Sequence, residues 1–426
     1  MTAPAATDLG KPGRFRWWIC GLLFVAMVFN YIDRQMIGVL KPTLQKEFGW
    51  SEITYADIVF WFQAAYAASY LVFGRFVDWV GAKLGYAAAF AIWTIGHVSH
   101  AAVRTVSGFI LVRMVLGVGE GGGFPAGIKA TAEWFPRRER ALATGLFNAG
   151  TNIGAIVTPL LVPWIAIDLA MGWRATFVIT GVAGLLWLVA WLVIYRSPAS
   201  HPRVGAAELA LIESDPPETV TKVSWVDVLK TRETWAYCAG KFLIDPIWWM
   251  YLFWLPDFFA REYHLDLKSF GPPLVAVYLL SDVGSISGGW LSGALLRRGL
   301  SLGAARKTAM LICAVLVLPI LFAMQAGSLW LAVGILGLAT AAHQGFSANL
   351  YTLPSDVFPK AAVGTVIGIG GAIGGVGGML MAKYAGWVLE RIGSYTPIFI
   401  VAAGAYLTAL VVIHLLTPRY EPARIG

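Results

Sequence analysis

The run "RMVLGVGEGGGFPAGIKATAEWFP", Arg113 to Pro136, sets an arginine and a glutamate inside a stretch otherwise apolar enough to cross a membrane. Each charge at a helix centre costs roughly 2.5–3.5 kcal/mol on insertion scales, so such residues face a protein interior or a watery cavity. On a helix Arg113, Gly117 and Glu120 stand at i, i+4 and i+7, one stripe two turns long with no side chain at its middle. Such a stripe can receive a small polar solute. Gly117, Gly119 and Gly122 also spell G-x-G-x-x-G, but no strand precedes them and they lie within a span, which argues against a nucleotide site.

The rest of the chain agrees with a membrane setting. Of its 426 residues 58% are hydrophobic and only 13% charged, and apolar blocks recur along the whole length. At about twenty residues per block the fold class is an all-α membrane protein. Twelve spans are expected, centred near Val25, Ala65, Ile92, Leu116, Asn152, Leu185, Asp245, Asp282, Val315, Gly337, Gly371 and Leu407. The first follows a basic stub (Lys11, Arg14, Arg16) but is too long for a signal peptide and lacks a small-residue cleavage site, so it stays as a helix.

Lys and Arg gather at the N-terminus, at Arg75 and Lys83, at Arg137, Arg138 and Arg140, in the central stretch (Arg196, Arg203, Lys222, Lys230, Arg232), at Arg297, Arg298, Arg306 and Lys307, and at Arg419 and Arg424. The alternate loops hold only scattered cases such as Lys41, Arg104, Arg174 and Arg261. Both termini are therefore expected on the cytoplasmic side. The net charge of +8 reads as topology and not as a nucleic-acid surface. Cys20, Cys238 and Cys313 fall within spans, which leaves no disulfide framework.

The one long polar interval, Arg196 to Arg232, carries Pro198, Pro202, Pro216 and Pro217 and a short surface helix expected around Ala206–Ser214. It suggests a stub at 1–16, a six-span bundle at 17–196, a cytoplasmic linker at 197–232, a second six-span bundle at 233–417 and a tail at 418–426. The halves repeat: "EWFPR" from Glu133 returns as "DVFPK" from Asp356, an offset of 223 that also carries Gly145 to Gly368 and Gly154 to Gly377. Two equivalent bundles about a pseudo-twofold axis place a binding site at the midplane between them, with rocking about that site giving alternating access. The run "GIGGAIGGVGG", Gly368 to Gly378, fits either tight helix packing or a mobile gate.

Between spans two and three, Gly74, Asp78, Gly81 and Lys83 in "GRFVDWVGAK" resemble the loop signature of the major facilitator superfamily; Gly289 and Arg298 repeat it, with Gly293 where Asp78 would be. Within that superfamily the chain is similar to the anion:cation symporter family. The carrying strings are "NYIDRQ" around Arg34, the stripe from Arg113 to Glu120, and "KATAEWFPRRERALATGLFNAG". "DPIWWMYLFWLP" and "AHQGFSANLYTLPSDVFPKAAVGTVIGIGG" look like bacterial hexuronate transporters, which carry galacturonate and glucuronate. The resemblance implies two pseudo-symmetric six-helix bundles, residence in a bacterial inner membrane, a cytoplasmic latch formed by Asp78 and Lys83, and a cavity lined by spans one, four, seven and ten.

On those spans, Arg34 is the first choice for holding a carboxylate bidentately and Arg113 the second. Arg113 can instead serve as counter-ion to Glu120. Asp33 and Glu120 are the acids able to carry protons, because burial and a nearby guanidinium pull a carboxylate's proton affinity in opposite directions; for Asp33 a structural pairing is the alternative. Tyr31, Tyr66, Asn148, Asn152, Gln344 and Asn349 can bond hydroxyls, and Trp248, Trp249 or Trp254 can cover a sugar face. His343, at the repeat position of Glu120, either tunes protonation or packs. Lys241 and Asp245 stand four apart on span seven and can pair as a gating or structural element.

The expected activity is import of a sugar-acid anion, a hexuronate, by proton symport. The coupling ion is H+, with no cofactor or metal. Its partners are the solute, protons and membrane lipid, with no nucleic acid and no obligate protein partner. The alternatives are an organic-anion exchanger or uniporter without proton coupling, or a symporter for an aldonate, tartrate or phthalate. Drug efflux suits two cavity arginines poorly, and no metal-spaced histidine cluster or activated nucleophile suggests an enzyme.

Overall fold

The computed structural model describes residues 11–215 and 224–423; Pro216, Pro217, Lys222 and Arg424 lie outside the described residues. Regular structure among them is helical: α1 (Phe15–Phe48), α2 (Glu52–Ser99), α3 (Val106–Trp134), α4 (Arg137–Pro163), α5 (Gly172–Ile194), α6 (Ala206–Ile212), α7 (Trp225–Leu229), α8 (Arg232–Tyr263), α9 (Gly271–Arg297), α10 (Leu302–Val317), α11 (Leu329–Leu350), α12 (Leu353–Val357), α13 (Lys360–Arg391) and α14 (Thr396–Leu416). Every expected span centre falls within a long helix, and α6 is the expected surface helix.

Ten stretches are long and apolar enough to cross a membrane. One of them, Glu52–Ala102, is 51 residues long and bends at Gly81, whose φ of 83° and ψ of 164° no helix contains, so it makes two spans. The twelfth is α8, 32 residues long, whose Lys241, Asp245, Asp257 and Arg261 dilute its hydropathy while most of its surface is buried against other helices.

Local chemistry sets the helix ends. The hydroxyls of Ser51, Thr105 and Thr231 accept from the backbone N–H three residues on and so start α2, α3 and α8. The two copies of the repeat share one backbone turn: Pro136 precedes α4 at φ −63°, ψ 152°, and Pro359 precedes α13 at φ −62°, ψ 148°. Duplication is visible in dihedral angles as well as in letters.

Two six-span bundles result. In the first, α3 packs against both limbs of α2, and the gap at Gly117 is where they meet: a Cβ there would stand 2.5 Å from the Phe62 carbonyl oxygen. The side-chain-free centre of the stripe is thus filled by α2 and does not receive a solute, a correction to the sequence reading. In the second, α11 packs along α9 and α13 along α8. The bundles meet through α2 with α13, α1 with α8 and α4 with α9.

The glycine run of α13 gauges the distance between bundles. Added Cβ atoms at Gly378, Gly375 and Gly371 would meet Gln63, Ala67 and Tyr70 of α2 at 3.1, 2.8 and 3.4 Å. Further toward the face that carries the termini, Gly368 and Gly364 on α13 and Gly74 on α2 meet nothing within 4 Å. The glycines therefore serve close packing in one half of the interface, and a cleft opens from the other half toward the terminal face.

At the opposite face the bundles are clamped. Lys41 on α1 lies 2.7 Å from Glu52 on α2 and 2.9 Å from Asp257 on α8. Arg261 pairs with Asp257 at 2.7 Å and also with Glu52, and the Tyr395 hydroxyl donates to Asp257 at 2.5 Å. Lys383 with Asp57, and Lys268 with Asp168 at 3.0 Å, cross between bundles on the same side. Lys41 and Arg261, scattered loop cations by sequence, are the fastening of this face.

Candidate functional site

Tyr31 and Arg34, three residues apart, leave α1 on one face, and Asp33 leaves on another because consecutive helix positions are rotated by about 100°. Arg34, 4% exposed, turns toward α3, where its Nε donates to Glu120 Oε2 at 2.7 Å, and one Nη donates to Asn30 Oδ1 at 3.0 Å. Its guanidinium carbon lies 4.9 Å from the Tyr31 ring centroid, 4.8 Å from Tyr66 and 5.0 Å from Trp249 of the second bundle. A planar cation walled by three rings attracts them through their quadrupoles.

Arg113 does not pair with Glu120. Seven residues of helix rise hold the two apart by about 10 Å, and Arg34 reaches Glu120 first. Arg113 is completely buried, its two Nη atoms each 3.4 Å from the Arg34 carbonyl oxygen and its guanidinium 4.1 Å from the Phe62 ring. It stands behind Arg34 and stiffens α1 against α3. Asp33 turns from Arg34 toward α2, its Oδ1 3.2 Å from His97 Nε2.

The hydroxyl-binding candidates divide. Tyr31 and Tyr66 stand at Arg34, and Asn148 and Asn152 lie accessible on α4, with the Thr151 hydroxyl between them. Gln344 is half-buried on α11. Asn349 does not reach the cleft: its Nδ2 donates to the carbonyls of Gly288 at 3.0 Å and Gly345 at 2.9 Å, tying α11 to α9. Trp248 stacks on His343 at 5.3 Å with 9° between rings, and His343 Nδ1 meets the Tyr406 hydroxyl at 2.8 Å. His343 therefore packs within the second bundle with half-buried Trp248 stacked on it, and the tryptophan at the arginine is Trp249.

Asn30 and Gln63 belong to the site although the sequence reading passed over them. Gln63 is buried beside Gly378 and Trp249, and neither its Nε2 nor its Oε1 finds a hydrogen-bond partner among the described residues. Its signal was a lone amide in the apolar run "WFQAAYAASY". On the other bundle Lys241 lies 2.7 Å from Asp245 and 2.6 Å from the Tyr351 hydroxyl, so the pair expected on span seven forms. Asp78 meets Lys129 at 3.0 Å, so its partner is not Lys83, whose carbonyl accepts from Trp191 Nε1.

This architecture of two duplicated six-span bundles around a midplane arginine matches the family model described as Major Facilitator Superfamily over residues 23–382. The chain belongs to the Major Facilitator Superfamily. Among curated proteins it is 31% identical over 405 residues to the "Hexuronate transporter" of Escherichia coli strain K12, covering 93% of each chain. It is 28% identical over 427 residues to the "D-galactonate transporter" of Escherichia coli O6:H1, covering 96% of this chain and 97% of that one. A bacterial homologue of the human lysosomal transporter Spinster, solved in an inward-facing unoccupied conformation, superposes with a TM-score of 0.70 at 17% identity, covering 95% of this chain and 96% of the other. As a superfamily member the protein is a multi-pass membrane transporter and not an enzyme.

Proposed function

We propose that the protein imports a sugar-acid monoanion, a hexuronate such as galacturonate or glucuronate, together with protons. The observation that carries this reading is the buried Arg34–Glu120 pair at 2.7 Å beneath the cleft. A buried guanidinium keeps its charge and needs an anion. While Glu120 is ionised it is that anion. A proton on Glu120 removes its charge, and the carboxylate of the solute takes its place on the guanidinium fork, with Tyr31, Tyr66, Gln63 and Trp249 around the sugar. Proton and anion then favour each other, and the loaded carrier has the same charge as the empty one.

The names of the two relatives support a sugar acid, and the terminal face, to which the cleft opens, is the cytoplasmic one by the distribution of Lys and Arg. One proton per monoanion moves no net charge and draws on the pH gradient alone. A second proton, carried on Asp33, adds about 2.3 kcal/mol per 100 mV.

Proteoliposomes test the reading. An inward proton gradient should drive accumulation of labelled galacturonate or glucuronate. The same sugar acids should raise the melting temperature of the purified protein, since ligands that bind only the folded state stabilise it. Equal stabilisation by neutral glucose or galactose would remove the carboxylate from the argument, and uptake indifferent to the gradient would leave an anion exchanger or uniporter.

A further inference from the structure

Seven buried side-chain atoms that make no hydrogen bond among the described residues belong to the first bundle: Asp33 Oδ1 (which has only its ion-pair contact with His97), Trp93 Nε1, Thr94 Oγ1, His97 Nδ1, His100 Nε2, Arg113 Nε and Glu120 Oε1. Buried polar atoms are almost always paired, so a group of them calls for water between them, and we read the space they share as a chamber that holds it. Its wall comes from α1, the second limb of α2, α3 and α5. The charged or titratable groups facing His97 are Asp33 from α1, His100 from α2 itself, and Arg113 from α3; Glu120 of α3 borders Asp33, and α5 presents Thr180 and Phe177.

The hydrogen bonds define both imidazole tautomers. Thr180 Oγ1 donates its only hydrogen to the Thr176 carbonyl at 2.7 Å, so toward His97 Nε2, also at 2.7 Å, it accepts. His97 Nε2 therefore carries hydrogen, and Nδ1 is bare. Asp33 Oδ1 waits 3.2 Å from that same Nε2. His100 Nδ1 faces two carbonyls, of Gly96 at 2.8 Å and His97 at 3.2 Å, so its Nε2 is the bare nitrogen. Two unprotonated nitrogens thus face the chamber, while the one N–H of His97 is directed to Thr180 with Asp33 Oδ1 within 3.2 Å of the same nitrogen.

We infer that His97 relays protons between this internal chamber and Asp33, a positioning role in coupling that rests on Asp33 being a proton-carrying acid. Water delivers a proton to His97 Nδ1, and an N–H bond forms there. The Nε2–H bond breaks, and its proton forms an O–H bond on Asp33 Oδ1. Imidazole ends neutral in its other tautomer and Asp33 neutral; the reverse transfers, Asp33 returning its proton to Nε2 and Nδ1 releasing its own to water, restore the start.

The test uses no substrate. Infrared absorption of the protonated Asp33 carboxyl, assigned by its loss in Asp33→Asn, is followed after a pH jump from about 8 to about 5 in the purified protein. His97→Gln keeps an N–H donor for Thr180 and Asp33 but cannot relay; the band should reach its full amplitude at least about tenfold more slowly, in the range by which positioned proton transfer accelerates reactions. Thr180→Val, which frees the tautomer, should slow it several-fold and stands in if His97→Gln does not fold. An unchanged rate in the variant measured, or absence of any Asp33 band, overturns the relay. Wild-type liposomes that fail to accumulate hexuronate would overturn the proposed substrate while the infrared result still decides His97.

Discussion

Arg34 holds Glu120, Asn30 and three rings at once, so its loss should be felt in binding. Arg34→Ala should weaken the hexuronate-induced rise in melting temperature as a 10- to 100-fold loss of affinity, about what a charge-assisted hydrogen bond contributes, and Arg34→Lys should restore little of it because an ammonium offers no planar fork. Glu120→Gln keeps the shape of the protonated acid. Counterflow of labelled substrate should persist in that variant while uphill uptake under a proton gradient disappears; accumulation at the wild-type level would show that the coupling proton travels elsewhere. The charged members of this site were legible from sequence because Asp33, Arg34, Arg113 and Glu120 interrupt apolar runs. Their pairing was not. Whether Glu120 meets Arg113 or Arg34 depends on how α1 is rotated against α3, which no single-helix pattern specifies. Neutral Asn30 and Gln63 looked like packing for the same reason that Asn349, which does pack, looked like a ligand: an amide alone on a span carries no mark of the face it is on.

At the scale of the helix, glycine does two different jobs that a string of letters does not separate. Gly117 faces the Phe62 carbonyl, while Gly145 and Gly368 face open space. Gly117→Ala should therefore lower stability by about 1–3 kcal/mol through overpacking, read as a falling midpoint in thermal unfolding of the detergent-solubilised protein. Gly145→Ala and Gly368→Ala should stay within about 0.5 kcal/mol of wild type, as substitutions away from contacts do. Equal losses at all three positions would mean that helix distortion, and not contact between α2 and α3, decides. The spans themselves were plain from their apolar blocks, including α8 despite its charges, and the duplicated "FP" turns located equivalent helix starts. What the letters hid was depth: the run from Gly368 to Gly378 is half interface and half cleft wall, and only the divergence of α2 and α13 says where one becomes the other.

Across the whole molecule the decisive asymmetry is a fastened face and an open one. Lys41 has no exposed surface and touches two carboxylates, so Lys41→Met should leave Glu52 and Asp257 with Arg261 as their remaining partner and loosen the clamp. In proteoliposomes a cysteine placed at Gly145, on the terminal side of the cleft, should then be labelled about tenfold more slowly than in the same protein with Lys41 intact, a shift of 1.4 kcal/mol between access states. Unchanged labelling would assign the clamp no part in that balance. Sequence proximity could not have disclosed it, since Glu52 and Arg261 are brought together from opposite bundles. The other crossing pairs are of another kind: Lys268 and Lys383 are largely in solvent, where an ion pair contributes about 0.2–1 kcal/mol and fades with salt. A carrier built this way has a clock whose slow hand is one sheltered amine. Brine on that side of the membrane would trim its idle time only slightly, whereas anything that offers the two sheltered acids another partner would make the carrier run fast and reset poorly.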